Sequence, residues 1–123
     1  MEKIKFIRLL QQYSENNPIV VEGKRDKEVL QELRIKNVYA VYEIRRIPTK
    51  KFKEVLILTD RDRKGKKIYK YLYNYFISEG LIINNKLREL FFRMFGVVRV
   101  EELKNRMNDI KHILEYEEIT GSY

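Results

Sequence analysis

Residues Pro18–Asp26 read PIVVEGKRD, an apolar β-branched run, Ile19-Val20-Val21, set directly against Glu22, Gly23 and Lys24. A short run that is apolar at every position has the character of a strand covered on both faces, as parallel sheets require. Parallel strands are joined by crossover helices, and the flanking segments supply them. Downstream, DKEVLQELRI places Val29, Leu30 and Leu33 on one helical face, with Asp26 near its start as an N-cap acceptor. VYAVYEI (38–44) reads as a second strand, and the basic stretch RRIPTKKFKE crosses back to a third buried strand, VLIL (55–58), which ends in TDRDRKG. A helix over about 65–79 follows, with Ile68, Leu72, Tyr75 and Phe76 toward the sheet.

Upstream, Ile4, Phe6, Ile7 and Leu10 mark a leading helix over 1–16 that stops before Pro18. In the last third, NKLRELFFRMFG is helical up to Gly96, a residue suited to a left-handed C-terminal cap. VVRV (97–100) reads as a short fourth strand. A closing helix over 101–119, with Leu103, Met107, Ile110 and Leu114 at helical spacing and Glu101 and Glu102 at its start, is expected to pack the second face. No repeat or linker divides the chain. The expectation is one domain over 1–123, α/β, with a four-stranded, mostly parallel sheet and helices on both faces, its motif-bearing core over about 18–100.

Composition narrows the function. Hydrophobic residues make up 44% of the 123 and charged residues 36%, enough apolar material for a folded core. A formal charge of +8 favours a polyanionic partner, nucleic acid first and an anionic membrane surface second. No apolar run approaches a membrane span, and MEKIKFIRLL alternates charge with apolar groups unlike a signal peptide, so a cytoplasmic location is expected. With no cysteine and one histidine, His112, thiolate zinc sites and a cysteine nucleophile are excluded, and any metal must be held by oxygen. His112 is expected at the surface of the closing helix.

Three carboxylates fall at strand ends: Glu22 after the first strand, Asp60 and Asp62 after the third. Ligands of open parallel sheets bind beyond the carboxyl ends of the strands, near the point where the strand order reverses. If strands one and three are neighbours, the three acids converge, and their repulsion calls for protons or a hard cation such as Mg²⁺. Basic residues gather at Arg45, Arg46, Lys50, Lys51 and Lys53, and again at Arg61, Arg63, Lys64, Lys66, Lys67 and Lys70. The second group follows the acidic motif directly, where it could hold phosphates flanking a reacting one. Tyr69, Tyr71, Tyr73 and Tyr75 interleave with it; most are expected to pack against the sheet, and an exposed one could stack on a base.

VVEGKRD followed by LTDRDRKG, with a β-α-β-α-β path around them, resembles the two signature motifs of the Toprim domain family. The EGKRD form is most similar to the small standalone members and to the nuclease that matures ribosomal RNA. The resemblance implies a Rossmann-like fold and a Mg²⁺ cofactor, with Mn²⁺ as a substitute. Asp60 and Asp62 would hold the metal. Glu22 would act as general acid or base or share in metal binding. Gly23 and Gly65 match the motif glycines, and Lys24 and Asp26 would contact phosphate and orient the site. Lys24, Arg61, Arg63, Lys64, Lys66 and Lys67 are then the candidate nucleic-acid contacts. The implied activity is endonucleolytic hydrolysis of RNA or DNA. The alternative is a non-catalytic module that binds nucleic acid or a protein partner, a second copy included. A receiver-like domain fits less well, because the first motif is EG rather than paired acids. A haloacid-dehalogenase-type phosphatase would carry its aspartate pair near the start of the chain.

Overall fold

The structure, a computed structural model, describes residues 1–121, so Ser122 and Tyr123 lie outside the described residues. Its sheet has the order β2-β1-β3-β4, built from β1 (Ile19–Val21), β2 (Val38–Ala40), β3 (Glu54–Ile57) and β4 (Ile82–Ile83). All three pairings are parallel. The register sets Ile19 against both Val38 and Leu56. Helices α1 (Lys3–Asn16), α2 (Lys24–Glu32), α3 (Arg63–Ser78), α4 (Asn85–Phe95) and α5 (Asn108–Thr120) cover it.

Alternation along the strands divides the core in two. Ile19, Val21, Leu56 and Leu58 face a layer formed by α1, α2, α4 and α5, with Phe6, Leu10, Leu30, Phe91 and Leu114 at its centre. Val20, Val55 and Ile57 face the other way, onto Leu72 and Phe76 of α3 and onto Ile44 and Ile47. The crossover helices α2 and α3 thus lie on opposite faces, which right-handed connections demand when the chain moves first to one side of β1 and then to the other. The aromatic cluster Phe6, Phe91 and Phe95 packs at centroid distances of 5.2–6.4 Å, inside the favourable range for tilted rings.

The structure corrects the sequence reading at four places. The second strand stops at Ala40, and residues Val41–Arg46 form a 3-10 turn. Glu43 turns the chain: its buried carboxylate accepts from the Ala40 N–H at 3.0 Å and from Lys27 at 2.7 Å, which also holds it below the usual carboxylate range. VVRV is no strand. Val97 and Val100 are buried while Val98 and Arg99 are exposed, a spacing of three rather than two, and the chain enters a 3-10 turn at Val100–Asn105. The fourth strand is instead Ile82–Ile83, released from α3 by Gly80 at φ +87°. Finally, the closing helix begins at Asn108 rather than 101, and it joins the face of α1, α2 and α4. Ion pairs of Arg8 with Glu117, Lys111 with Glu32 and Arg34 with Glu118 tie it to α1, to α2 and to the turn that follows α2.

No helix among the described residues is long and apolar enough to cross a membrane.

Candidate functional site

The strand order reverses between β1 and β3, and both strands deliver their acids there. Along this edge the amides of Leu56 in β3 and of Leu58 just past it donate to the Pro18 and Val20 carbonyls at 3.1 and 2.7 Å. The next amide in the series, Asp60 N–H, finds no strand, because β1 has already turned into α2. It donates to the Glu22 carboxylate at 2.9 Å, so a side chain continues the ladder. Glu22 is thereby held over the end of β3, beside Asp60 and Asp62. One oxygen from each of these three carboxylates lies within 4.8 Å of the others.

Each acid is also fixed by backbone donors. Asp60 Oδ1 accepts from the Val100 N–H at 2.9 Å, and the Val98 carbonyl accepts from the Arg61 N–H at 2.7 Å, which docks the 97–100 loop across the strand end. Asp62 is the N-cap of α3, accepting from the Gly65 N–H at 2.8 Å. Its other oxygen faces Arg99 Nε at 3.4 Å. Gly65 sits so close beneath the cluster that a Cβ there would lie 2.0 Å from the Asp60 carbonyl oxygen and 2.6 Å from Glu22 Oε1. Only glycine lets α3 start at this distance.

Asp26 does not cap α2. Gly23 occupies that position, and Asp26, one turn in, accepts from the Gly23 N–H at 3.1 Å. Gly23 itself has an extended φ of −139° and an open surround, so its turn imposes no glycine-only conformation. Burial raises the Asp26 carboxyl to about 6, with the Asp60 charge adding to the effect. Burial also raises Glu22, against the lowering effect of the Asp60 N–H, and Asp60, against that of the Val100 N–H. In all three, burial is the leading cause and the neighbouring carboxylates add to it.

The donor set can hold a metal ion. It offers only carboxylate oxygens, converging from two strand ends and held by backbone amides, a combination that suits a hard divalent cation. Around it an open cleft of about 360 Å³ is lined by Glu22, Gly23, Lys24, Arg25, Asp26, Asp60, Lys64, Ile68 and Glu101.

The structure brings Lys24 and Lys64 to this cleft and leaves Arg63, Lys66 and Lys67 exposed on the first turns of α3. Arg61 points away, paired with Glu89 and 5.3 Å above the Phe92 ring. Tyr71 and Tyr73 are exposed while Tyr69 and Tyr75 are half-buried, so fewer of the four tyrosines pack than expected. His112 is exposed on α5. Three groups at the site lie outside the residues that the motifs single out. Arg99 and Glu101 lie in the segment read as strand and closing helix; the charged pair inside VVRVEE was the available signal. Arg25, ion-paired with Glu101 at 3.5 Å, follows Lys24 in the first motif.

Comparison with known proteins agrees with this geometry. The Toprim domain model matches residues 17–95, more than half of the chain. The chain belongs to the Toprim family. A UPF0292 protein of Methanocaldococcus jannaschii is 34% identical over 106 residues, covering 77% of this chain and 81% of the relative. A UPF0292 protein of Pyrococcus abyssi is 34% identical over 77 residues, 57% of each. Among solved structures, a protein from Aquifex aeolicus superposes with a TM-score of 0.73 at 26% identity, covering 82% of this chain and 97% of that one. Toprim membership carries a general association with nucleic acid and with divalent metal, and the acidic cluster lies within the matched residues.

Proposed function

We propose that this Toprim protein is a Mg²⁺-dependent endonuclease that hydrolyses phosphodiester bonds of RNA or DNA, with Glu22, Asp60 and Asp62 as its centre. The observation that carries the reading is the meeting of three carboxylate oxygens within 4.8 Å at the strand-order reversal, beside the lysines of the cleft. A divalent cation bound there would neutralise phosphate charge and acidify a water ligand. Asp60 and Asp62 would hold the ion, and their hydrogen bonds from the Val100 and Gly65 amides keep them from turning away. Glu22, held beside Asp60 and Asp62 by the Asp60 N–H, is placed to take a proton from the attacking water or return one to the leaving oxygen. Lys24 and Lys64 receive the phosphate beside the scissile bond, and Arg63, Lys66 and Lys67 follow the strand along α3. Asp26 and Gly23 hold the turn that presents Glu22.

The test is incubation of the protein with end-labelled single-stranded, duplex and structured RNA and DNA, in Mg²⁺, in Mn²⁺ and in EDTA. Cleavage is expected with the metals, none in EDTA, and none by Glu22→Gln or Asp60→Asn. Salt-sensitive binding without cleavage would replace this reading with a non-catalytic nucleic-acid-binding module, and cleavage unchanged in the two variants would remove the proposed centre.

A further inference from the structure

The far edge of β3 is held by a residue that no motif names. β4 is two residues long, and its pairing with β3 ends at Val55. The carbonyls of Lys53, just before β3, and of Val55 accept from the Ile82 and Asn84 amides at 2.9 and 3.0 Å. The next carbonyls on that edge belong to Ile57 and Thr59, and no strand remains to meet them. Arg88 of α4 does. Its Nη1 donates to the Ile57 carbonyl at 3.0 Å and to the Thr59 carbonyl at 2.7 Å. The residue is only 6% exposed, and its guanidinium carbon lies 4.6 Å from the Tyr69 ring centroid and 5.0 Å from that of Phe92. Two rings on two helices therefore fix where the donor sits.

The segment that leaves the sheet is thus clamped on both edges, by Arg88 at Ile57 and Thr59 and by Glu22 at Asp60. Glu22 belongs to the acidic cluster itself. Arg88 does not: a guanidinium cannot ligate a cation, and its hydrogen bonds here go to backbone. We infer that Arg88 is a positioning residue for the acidic cluster, fixing the backbone that carries Asp60 so that its carboxylate meets those of Glu22 and Asp62. The inference rests on the reading of that cluster as a divalent-cation site. Charge and position make opposite demands on a substitution. Removing a positive charge from the neighbourhood of three carboxylates would by itself tighten cation binding, whereas freeing the strand end loosens it.

Titration of Mn²⁺ into the full chain, followed by the electron paramagnetic resonance of the free ion, separates the two. Wild type, Arg88→Met and Arg88→Lys are compared, with circular dichroism as the check on folding. Arg88→Met is expected to bind Mn²⁺ roughly tenfold more weakly than wild type with an unchanged dichroism spectrum, as loss of a group that orients a ligand does. Arg88→Lys keeps the charge and much of the stem but lacks the planar fork; it is expected between the two, roughly threefold weaker than wild type. Should Arg88→Met fail to fold, Arg88→Lys decides on the same criterion. A lowered melting temperature with unchanged or tighter Mn²⁺ binding would overturn the inference and leave Arg88 a stabilising residue only. Absence of Mn²⁺ binding by wild type would instead overturn the cation-site reading on which it rests.

Discussion

Gly65→Ala sets two physical effects of opposite sign against each other. Gly65 is the third residue of α3, and helix propensity alone makes alanine better there by about 1 kcal/mol. The site geometry says the reverse. The added Cβ would stand 2.0 Å from the Asp60 carbonyl oxygen and 2.6 Å from Glu22 Oε1, when unstrained contacts begin near 3.4 Å. The first neighbour is backbone just past β3, held by the bond from Asp60 N–H to Glu22 and by that from Arg61 N–H to the Val98 carbonyl, so it cannot swing aside as a side chain could. Helix α3 must move off instead. That costs the Asp62 cap, about 1 kcal/mol, and disturbs the charged hydrogen bond from Asp60 N–H to Glu22, about 1.5–3 kcal/mol. After the gain in propensity, a net destabilisation on the order of 3 kcal/mol is expected, including some strain from overpacking. Urea unfolding in EDTA measures it free of any contribution from metal, and the urea slope should stay at its wild-type value. Equal or greater stability for Gly65→Ala would show that the approach of α3 to the strand end does not require glycine at this position.

Two further outcomes follow from the site. In EDTA, the stability difference between Asp26→Asn and wild type should move in favour of the variant as pH rises from 4.5 to 7.5. The native Asp26 carboxyl, raised to about 6 from an ordinary value of 3.8, makes its ionised form costly above pH 6, and that cost disappears below about pH 4. Melting temperatures at the two pH values check this, and a constant difference would contradict the buried placement of Asp26. Lys66→Ala should reduce the slope of log affinity against log salt for a short duplex or hairpin by roughly one phosphate contact, while leaving Mn²⁺ binding unchanged. An unaltered slope, measured by fluorescence anisotropy, would remove α3 from the binding face.

The parts of the fold legible in the sequence were those where burial leaves a continuous mark. Ile19–Val21 and Val55–Leu58 are buried from end to end, so their apolar runs announce central parallel strands. The carboxylates of Glu22, Asp60 and Asp62 were legible for the same reason, since each stands just past such a run. β4 was not, because two residues bracketed by Gly80 and Asn84 carry too little pattern, although Leu81-Ile82-Ile83 after a glycine was a usable hint. VVRV misled because β-branched residues also suit an extended loop that buries only its ends. At Val41–Arg46 a buried glutamate, invisible to apolar periodicity, turned the chain. Arg88 was hidden most completely. On the sequence it is one charged residue among the polar positions of an amphipathic helix, and only the shortness of β4 creates the carbonyls that it meets.

Glu22, Asp60 and Asp62 are proposed to form one divalent-cation site. Mn²⁺ titration of the wild-type chain and of the Asp60→Asn, Asp62→Asn double variant at neutral pH decides it. The wild type should bind Mn²⁺ saturably, and binding should weaken roughly tenfold or more in a folded double variant. Binding of equal strength in both proteins, or none in the wild type, would contradict it.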